Sequence, residues 1–326
     1  MSRLPECLEL MANANVDVMI LGREANTRAV VDTNRLWLAG TRPFSPGCVV
    51  VRSTGAVHVL ANADDAVPYG FPRDRLFGIT WNPEKLVAAL RAIDGVSEAR
   101  RLAVDGMTPM MSTMFTGIAP AANFTDAGAL LAELARIPDP AAIAGVEAAA
   151  EVARAGLAAM ATELVADVRP RALRGACAAA FAAAGVTTPA FEGVAAPLEI
   201  ASSTWISPER LLAEGERVVL RAGVLRDGWE ASVARTYVVS VPSLEQPPPS
   251  EWDEALTVCV AGMTAGAVRG RDAVIYGVGH GVEPWADNVV LVPGMMCALE
   301  CADGTSLHQE ILRITDGEPV IVTRSA

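Results

Sequence analysis

Apolar residues recur with two different periods along this chain, and the change from one to the other divides it. In the first third, short runs alternate with helical spacing. The segment Pro5 to Ala14 has helical periodicity, and VDVMIL (16–21) is a buried strand. VVV (49–51), VHVL (57–60) and RLAV (101–104) predict further strands, the first two joined as a hairpin by the turn at 53–55. NPEKLVAALRAI (82–93) predicts a helix with Asn82 as cap and Pro83 at its first position. Residues 1–135 therefore read as a small α/β domain.

The stretch ARIPDPAAIAG (135–145) marks the boundary, because two prolines interrupt the chain and Asp139 can cap a new helix begun by Pro140. Ile143, Val146, Ala150, Ala153, Leu157, Met160 and Leu164 then recur at spacings of three and four, with Glu147, Glu151 and Arg154 on the other face. A second, alanine-rich helix follows at about 170–184. From 217 the period changes to two. ERVVLRAG and WEASVARTYVVS form a hairpin around Asp227-Gly228. Ser250 is expected to cap a helix running through EWDEALTVCVAGMTAG, and VIYGVGHGV, GMMCALECADG, HQEILRI and EPVIVT are four short strands. Residues 136–326 thus form a helical layer followed by a mostly antiparallel sheet, an α+β domain.

Composition excludes some functions. A net charge of −12 without a basic stripe argues against nucleic acid or an anionic membrane as partner. No apolar stretch reaches the length of a membrane span, and MSRLPECLELMANANVDVMILG lacks the pattern of a secretory signal. The six cysteines (7, 48, 177, 259, 297 and 301) form no CxxC pair and read as reduced, buried thiols of a cytoplasmic protein. With only three histidines, a zinc site carries little weight. Met107, Met110, Met111 and Met114 read as core filler.

Four segments, in order, resemble the creatinase, prolidase and methionine aminopeptidase family. They are RIPDPAAIAGVEAAAEVARAGLAA, the hairpin GERVVLRAGVLRDGWEASVARTYVVSVPSLEQ with Arg235-Thr236, GVGHGVEP, and the pair PGMMCALE and HQEILRI. Asn26-Thr27-Arg28 also matches the N-terminal domain of such proteins. The resemblance implies a pita-bread domain, with helices on a curved, mostly antiparallel sheet, preceded by a smaller creatinase-like α/β domain, and a tendency to form homodimers. It also implies a dinuclear metal site built from two aspartates, a histidine and two glutamates. Carried over residue by residue, the histidine is His280 and the glutamates are Glu300 and Glu310. The aspartate positions hold Arg221 and Ser232 instead. A guanidinium keeps its proton and offers no lone pair to a cation, so neither a metal nor any other cofactor is expected.

Arg221 is expected to lie between Glu300 and Glu310, replacing the cations electrostatically, with Ser232 on the same face of the hairpin. The histidine that creatinase uses as acid–base group is missing, since Trp205 or Ile206 falls there. His308 is a further candidate on the side of Glu310, and Arg235 an alternative anchor for a substrate carboxylate. Trp205 and Trp285 read equally as packing residues or as an aromatic wall for a small molecule, and Trp229 as packing. Three functions stay open. One is metal-independent hydrolase or lyase chemistry on a C–N or similar bond of a small amino-acid-like or guanidino-like substrate, catalysed by His280 with Glu300 or Glu310. The second is a catalytically inactive binding module. The third is a Xaa-Pro peptidase-like hydrolase with one metal on His280, Glu300 and Glu310.

Overall fold

The computed structural model describes residues 3–31, 33, 47–60, 67, 69–77, 82–105, 109–186, 189–191, 193–201, 207–271, 273–279 and 283–324, without the side chains of 24, 109–112, 133, 283 and 284. His280, Trp205, Ile206 and Met107 lie outside the described residues. Two compact units divide the chain, Met1–Ala135 and Arg136–Ala326.

In the first unit, strands β1 (Val18–Leu21), β2 (Gly47–Val51), β3 (Ala56–Leu60), β4 (Leu76–Phe77), β5 (Arg101–Val104) and β6 (Asn123–Asp126) form one sheet in the order β4-β3-β2-β1-β5-β6. The β1–β2 and β2–β3 pairs are antiparallel, while β1–β5, β5–β6 and β3–β4 are parallel. Helices α1 (Leu4–Asn13), α2 (Glu24–Val31), α3 (Pro83–Arg91), α4 (Pro109–Ile118) and α5 (Ala127–Arg136) accompany it. Asn82 caps α3 as expected, its Oδ1 accepting from the Glu84 and Lys85 amides. Both faces of the sheet are covered, one core containing Met11, Met19 and Leu131 and the other Leu90, Leu102 and Phe115. The strands accordingly read as continuous apolar runs.

The second unit begins with α6 (Pro140–Thr162), whose Asp139 cap accepts from the Ala142 amide at 2.7 Å. Its apolar stripe meets α7 (Pro170–Ala183), and Gly156 allows the close approach, since a Cβ there would overlap the Phe181 ring. The sheet comprises β7 (Val194–Pro197), which leads into the short helix α8 (Leu198–Ala201), and β8 (Arg217–Arg226), β9 (Trp229–Val238), β10 (Leu244–Glu245), β11 (Ala273–Gly277), β12 (Glu283–Pro284), β13 (Met296–Ala302), β14 (Leu307–Arg313) and β15 (Val320–Ile321). Its main path runs β12-β11-β13-β14-β9-β8-β7, and every pair is antiparallel. Asp227 and Gly228 both take positive φ (50° and 86°), as the tight turn between β8 and β9 requires.

Alternation assigns the faces. Val218, Leu220, Ala222, Ala231, Val233 and Tyr237 pack against α6 and α7. Cys297, Leu299, Cys301 and Leu312 pack with residues of α9 (Trp252–Val258) and α10 (Ala265–Arg269). The single helix expected after Ser250 is thus two short ones. Ser250 Oγ bonds the Glu251 carboxylate and does not cap α9, while Thr264 caps α10 by accepting from the Ala267 amide. Gly262, at a φ of 87°, separates them. The six cysteines are buried thiols, and burial pushes Cys177 and Cys301 up to about 12.

Candidate functional site

Arg221 sits in the middle of β8, where polar side chains are out of pattern. It pairs with Ala234 on β9, and Gly223 pairs with Ser232. Arg221 and Ser232 are therefore diagonal neighbours on one face, the face turned away from α6 and α7. Across the sheet, Glu300 on β13 pairs with Gln309 on β14, and Gln309 pairs with Ala234. Four polar side chains from four strands thus share one face.

Their contacts form one network. Arg221 NH1 donates to Glu300 Oε2 at 2.5 Å and NH2 to Oε1 at 3.3 Å, a two-point pair. The guanidinium also donates to Gln309 Oε1 and to the Ala201 carbonyl, both at 3.3 Å. Gln309 Nε2 in turn donates to Ser232 Oγ at 2.7 Å. The Arg221 side chain is 3% exposed and that of Glu300 16%. Tyr276 on β11 completes the cluster. Burial, with the Glu300 charge nearby, pushes its hydroxyl up to about 12, against the opposing effects of a hydrogen bond with Ser232 and the charge of Arg221.

Glu310 does not belong to this cluster. It follows Gln309 by one residue, and a period of two sends it to the opposite face. There it meets Arg235, whose Nε and NH2 donate to Glu310 Oε1 at 3.2 and 2.7 Å, and His308, whose Nε2 lies 3.0 Å from the same oxygen. His308 packs edge-on against Trp252 of α9, with ring centroids 4.6 Å apart. Burial would raise Glu310, but the His308 hydrogen bond, the Arg235 charge and Thr323 together hold it below the usual carboxylate range. The expectation that Arg221 lies between both glutamates is therefore corrected: it binds Glu300 alone, and Glu310 and Arg235 satisfy each other on the far side.

Trp285 is 4% exposed in the core formed with α9 and α10, its ring over Gly277, where a Cβ would lie 2.6 Å from the indole nitrogen. It is a packing residue of the helix-covered face and not a wall of the cluster. Trp229 lies against Gly145 of α6. The chain leading to His280 is held beside β9, where the Glu230 amide donates to the Gly279 carbonyl at 2.6 Å. Gln309 and Tyr276 were missed in the sequence. The alternation in LHQEIL allows either face for the acidic residue, and only pairing with β9 selects one.

Residues 144–275 match the profile of metallopeptidase family M24. The prolidase from Pyrococcus furiosus superposes with a TM-score of 0.79 at 16% identity, over 99% of this chain and 100% of that one. The chain has a prolidase-like pita-bread fold. A dipeptidase from Pyrococcus horikoshii (TM-score 0.80, 18% identity, 99% of this chain and 98% of that one) and an X-Pro aminopeptidase from Thermotoga maritima (0.77, 12%, 100% and 98%) share the fold. No curated protein sequence matches the chain.

The metal pair implied by the resemblance does not fit the described donors. The Glu300 carboxylate on the cluster face is already paired with the Arg221 guanidinium, and around that pair stand the Gln309 amide and the Ser232 and Tyr276 hydroxyls, with Glu230 two residues before Ser232 on β9. No group of three His, Cys, Asp or Glu side chains able to hold a metal is gathered among the described residues. A divalent ion beside Glu300 would have to displace Arg221 and bear its repulsion.

Proposed function

We propose that this chain is a metal-independent relative of the prolidases that no longer carries out two-metal peptide hydrolysis and acts as a binding module for a small amino-acid-like or guanidino-like molecule. The observation that carries the reading is the two-point Arg221–Glu300 pair. The guanidinium supplies the positive charge the carboxylate needs, and it does so permanently. Both glutamates assigned by the resemblance are occupied, Glu300 by Arg221 and Glu310 by Arg235 and His308. Both carboxylates are held in ion pairs, and Glu310 lies on the other face of the sheet from the cluster, which disfavours either as a general base acting there. Arg221 spends its donors on Glu300, Gln309 and Ala201, so its use as an anchor for a substrate carboxylate loses support.

The test is metal content and turnover together. Protein purified without chelator and incubated with Mn²⁺ should retain far less than one equivalent after desalting. It should show no Mn²⁺-dependent rise in Tm and no cleavage of Xaa-Pro dipeptides. Two retained equivalents with cleavage would end the proposal.

A second reading keeps chemistry without metal. It rests on the resemblance, which assigns His280 as the remaining imidazole of the motif and so as the acid–base group. Turnover of any C–N substrate that His280→Ala abolishes would select this reading over the binding module. Homodimer formation and cytoplasmic residence are further parts of the proposal; light scattering on the purified chain tests the first and cell fractionation the second. No helix among the described residues is long and apolar enough to cross a membrane.

A further inference from the structure

On the face of β9 opposite Ser232, a groove of about 930 Å³ runs between α6 and the segment 240–245. Its volume falls within the roughly 300–1,000 Å³ typical of small-molecule sites. Ala158, Ala161, Val165, Val241 and Pro242 give it aliphatic walls. Arg235 and Tyr237 also line it, and both are buried.

These two residues converge on one carboxylate. Tyr237 donates its hydroxyl proton to Glu245 Oε2 at 3.1 Å, and Arg235 NH1 lies 3.4 Å from Glu245 Oε1. Burial, with Glu245 beside it, pushes the Tyr237 hydroxyl well above its usual value, so it remains a donor. Arg235 is held from behind by Glu310 and by the Thr323 carbonyl, which fixes the direction of its guanidinium. Glu245 comes from the two-residue strand β10 and its side chain is 44% exposed. Ser243 Oγ clips the same segment to the Ala161 carbonyl at 2.7 Å.

We propose that this groove is a receptor for small aliphatic monocarboxylates, and that Glu245 occupies it as a tethered stand-in. A long, half-exposed ion pair contributes little to stability, so exchanging Glu245 for a ligand carboxylate costs little. The incoming molecule keeps both donors satisfied and in addition buries its alkyl body against the aliphatic walls. The site lies on the other face of the hairpin from Arg221, so it stands independently of the reading of that cluster.

Hexanoate is a suitable probe and hexanamide its uncharged control, each titrated into the full chain and followed by calorimetry. Hexanoate should saturate and hexanamide should not. Glu245→Gln removes the competing charge from an exposed side chain and should tighten hexanoate by about tenfold, the equivalent of one modest charge-assisted hydrogen bond. Tyr237→Phe removes one donor and should weaken it by a similar factor. Equal binding of acid and amide, no saturation by hexanoate, or an affinity unmoved by Glu245→Gln in a variant with wild-type Tm would each overturn the proposal.

Discussion

Replacing Arg221 by Met keeps an unbranched apolar stem and removes the guanidinium with its charge. In the native protein the Glu300 carboxylate faces this guanidinium at 2.5 and 3.3 Å, with side-chain exposures of only 3% and 16% for the two partners. In Arg221→Met the carboxylate keeps its burial and loses its counter-charge. Breaking a pair of this kind from one side costs about 3–5 kcal/mol. For a unit of this size, each kcal/mol lowers Tm by about 2–4 °C, so the transition of the second unit should fall by about 10 °C. Removing both charges in Arg221→Met/Glu300→Leu should recover most of that loss, because a well-packed apolar pair replaces a buried ionic one at little or no cost. The assay is urea unfolding of the single and double variants, followed by tryptophan fluorescence. A single-variant loss under about 1 kcal/mol, or a double variant no more stable than the single one, would refute the claim that the guanidinium neutralises a stranded carboxylate.

Other expectations follow from the same geometry. Glu310 is held below its ordinary range in the fold, so its contribution is present above its unfolded value and is lost as pH falls through the lower folded value. The stability gap between wild type and Glu310→Gln, measured by urea unfolding from pH 7 to pH 3, should therefore be widest near neutrality and shrink below about pH 4.5. Gly156→Ala should destabilise by about 1–3 kcal/mol, since its Cβ would overlap the Phe181 ring and lie 3.0 Å from Cys177 Sγ; thermal denaturation checks it. Asp139→Ala should cost about 1 kcal/mol by removing the cap on α6, while Asp139→Asn should lose much less.

Much of the fold was legible because local chemistry and global arrangement agree. Pro140 after Asp139, the three-four spacing of α6, and Asp227-Gly228 between two alternating strands each had one good solution, and each was adopted. The single helix expected after Ser250 is broken because Thr257, Val258, Val260 and Gly262 are weak helix formers and Gly262, at positive φ, separates two short helices that share a core with residues of β11 and β13. The strand β7 carries no clear sequence signal, because VAAP is short and lacks alternation, yet it completes the sheet beside β8.

The candidate site divides the same way. The residue types at 221 and 232 are facts of the sequence, and they alone say that an arginine and a serine stand where the resemblance implies aspartates. Which glutamate meets that arginine was decided only in three dimensions. HQE carries polar groups on both faces of β14, and both faces are buried, so no solvent-facing side fixes the parity. The pairing of Gln309 with Ala234 and Glu300 sets it, because in a strand a shift of one residue exchanges every side chain between faces.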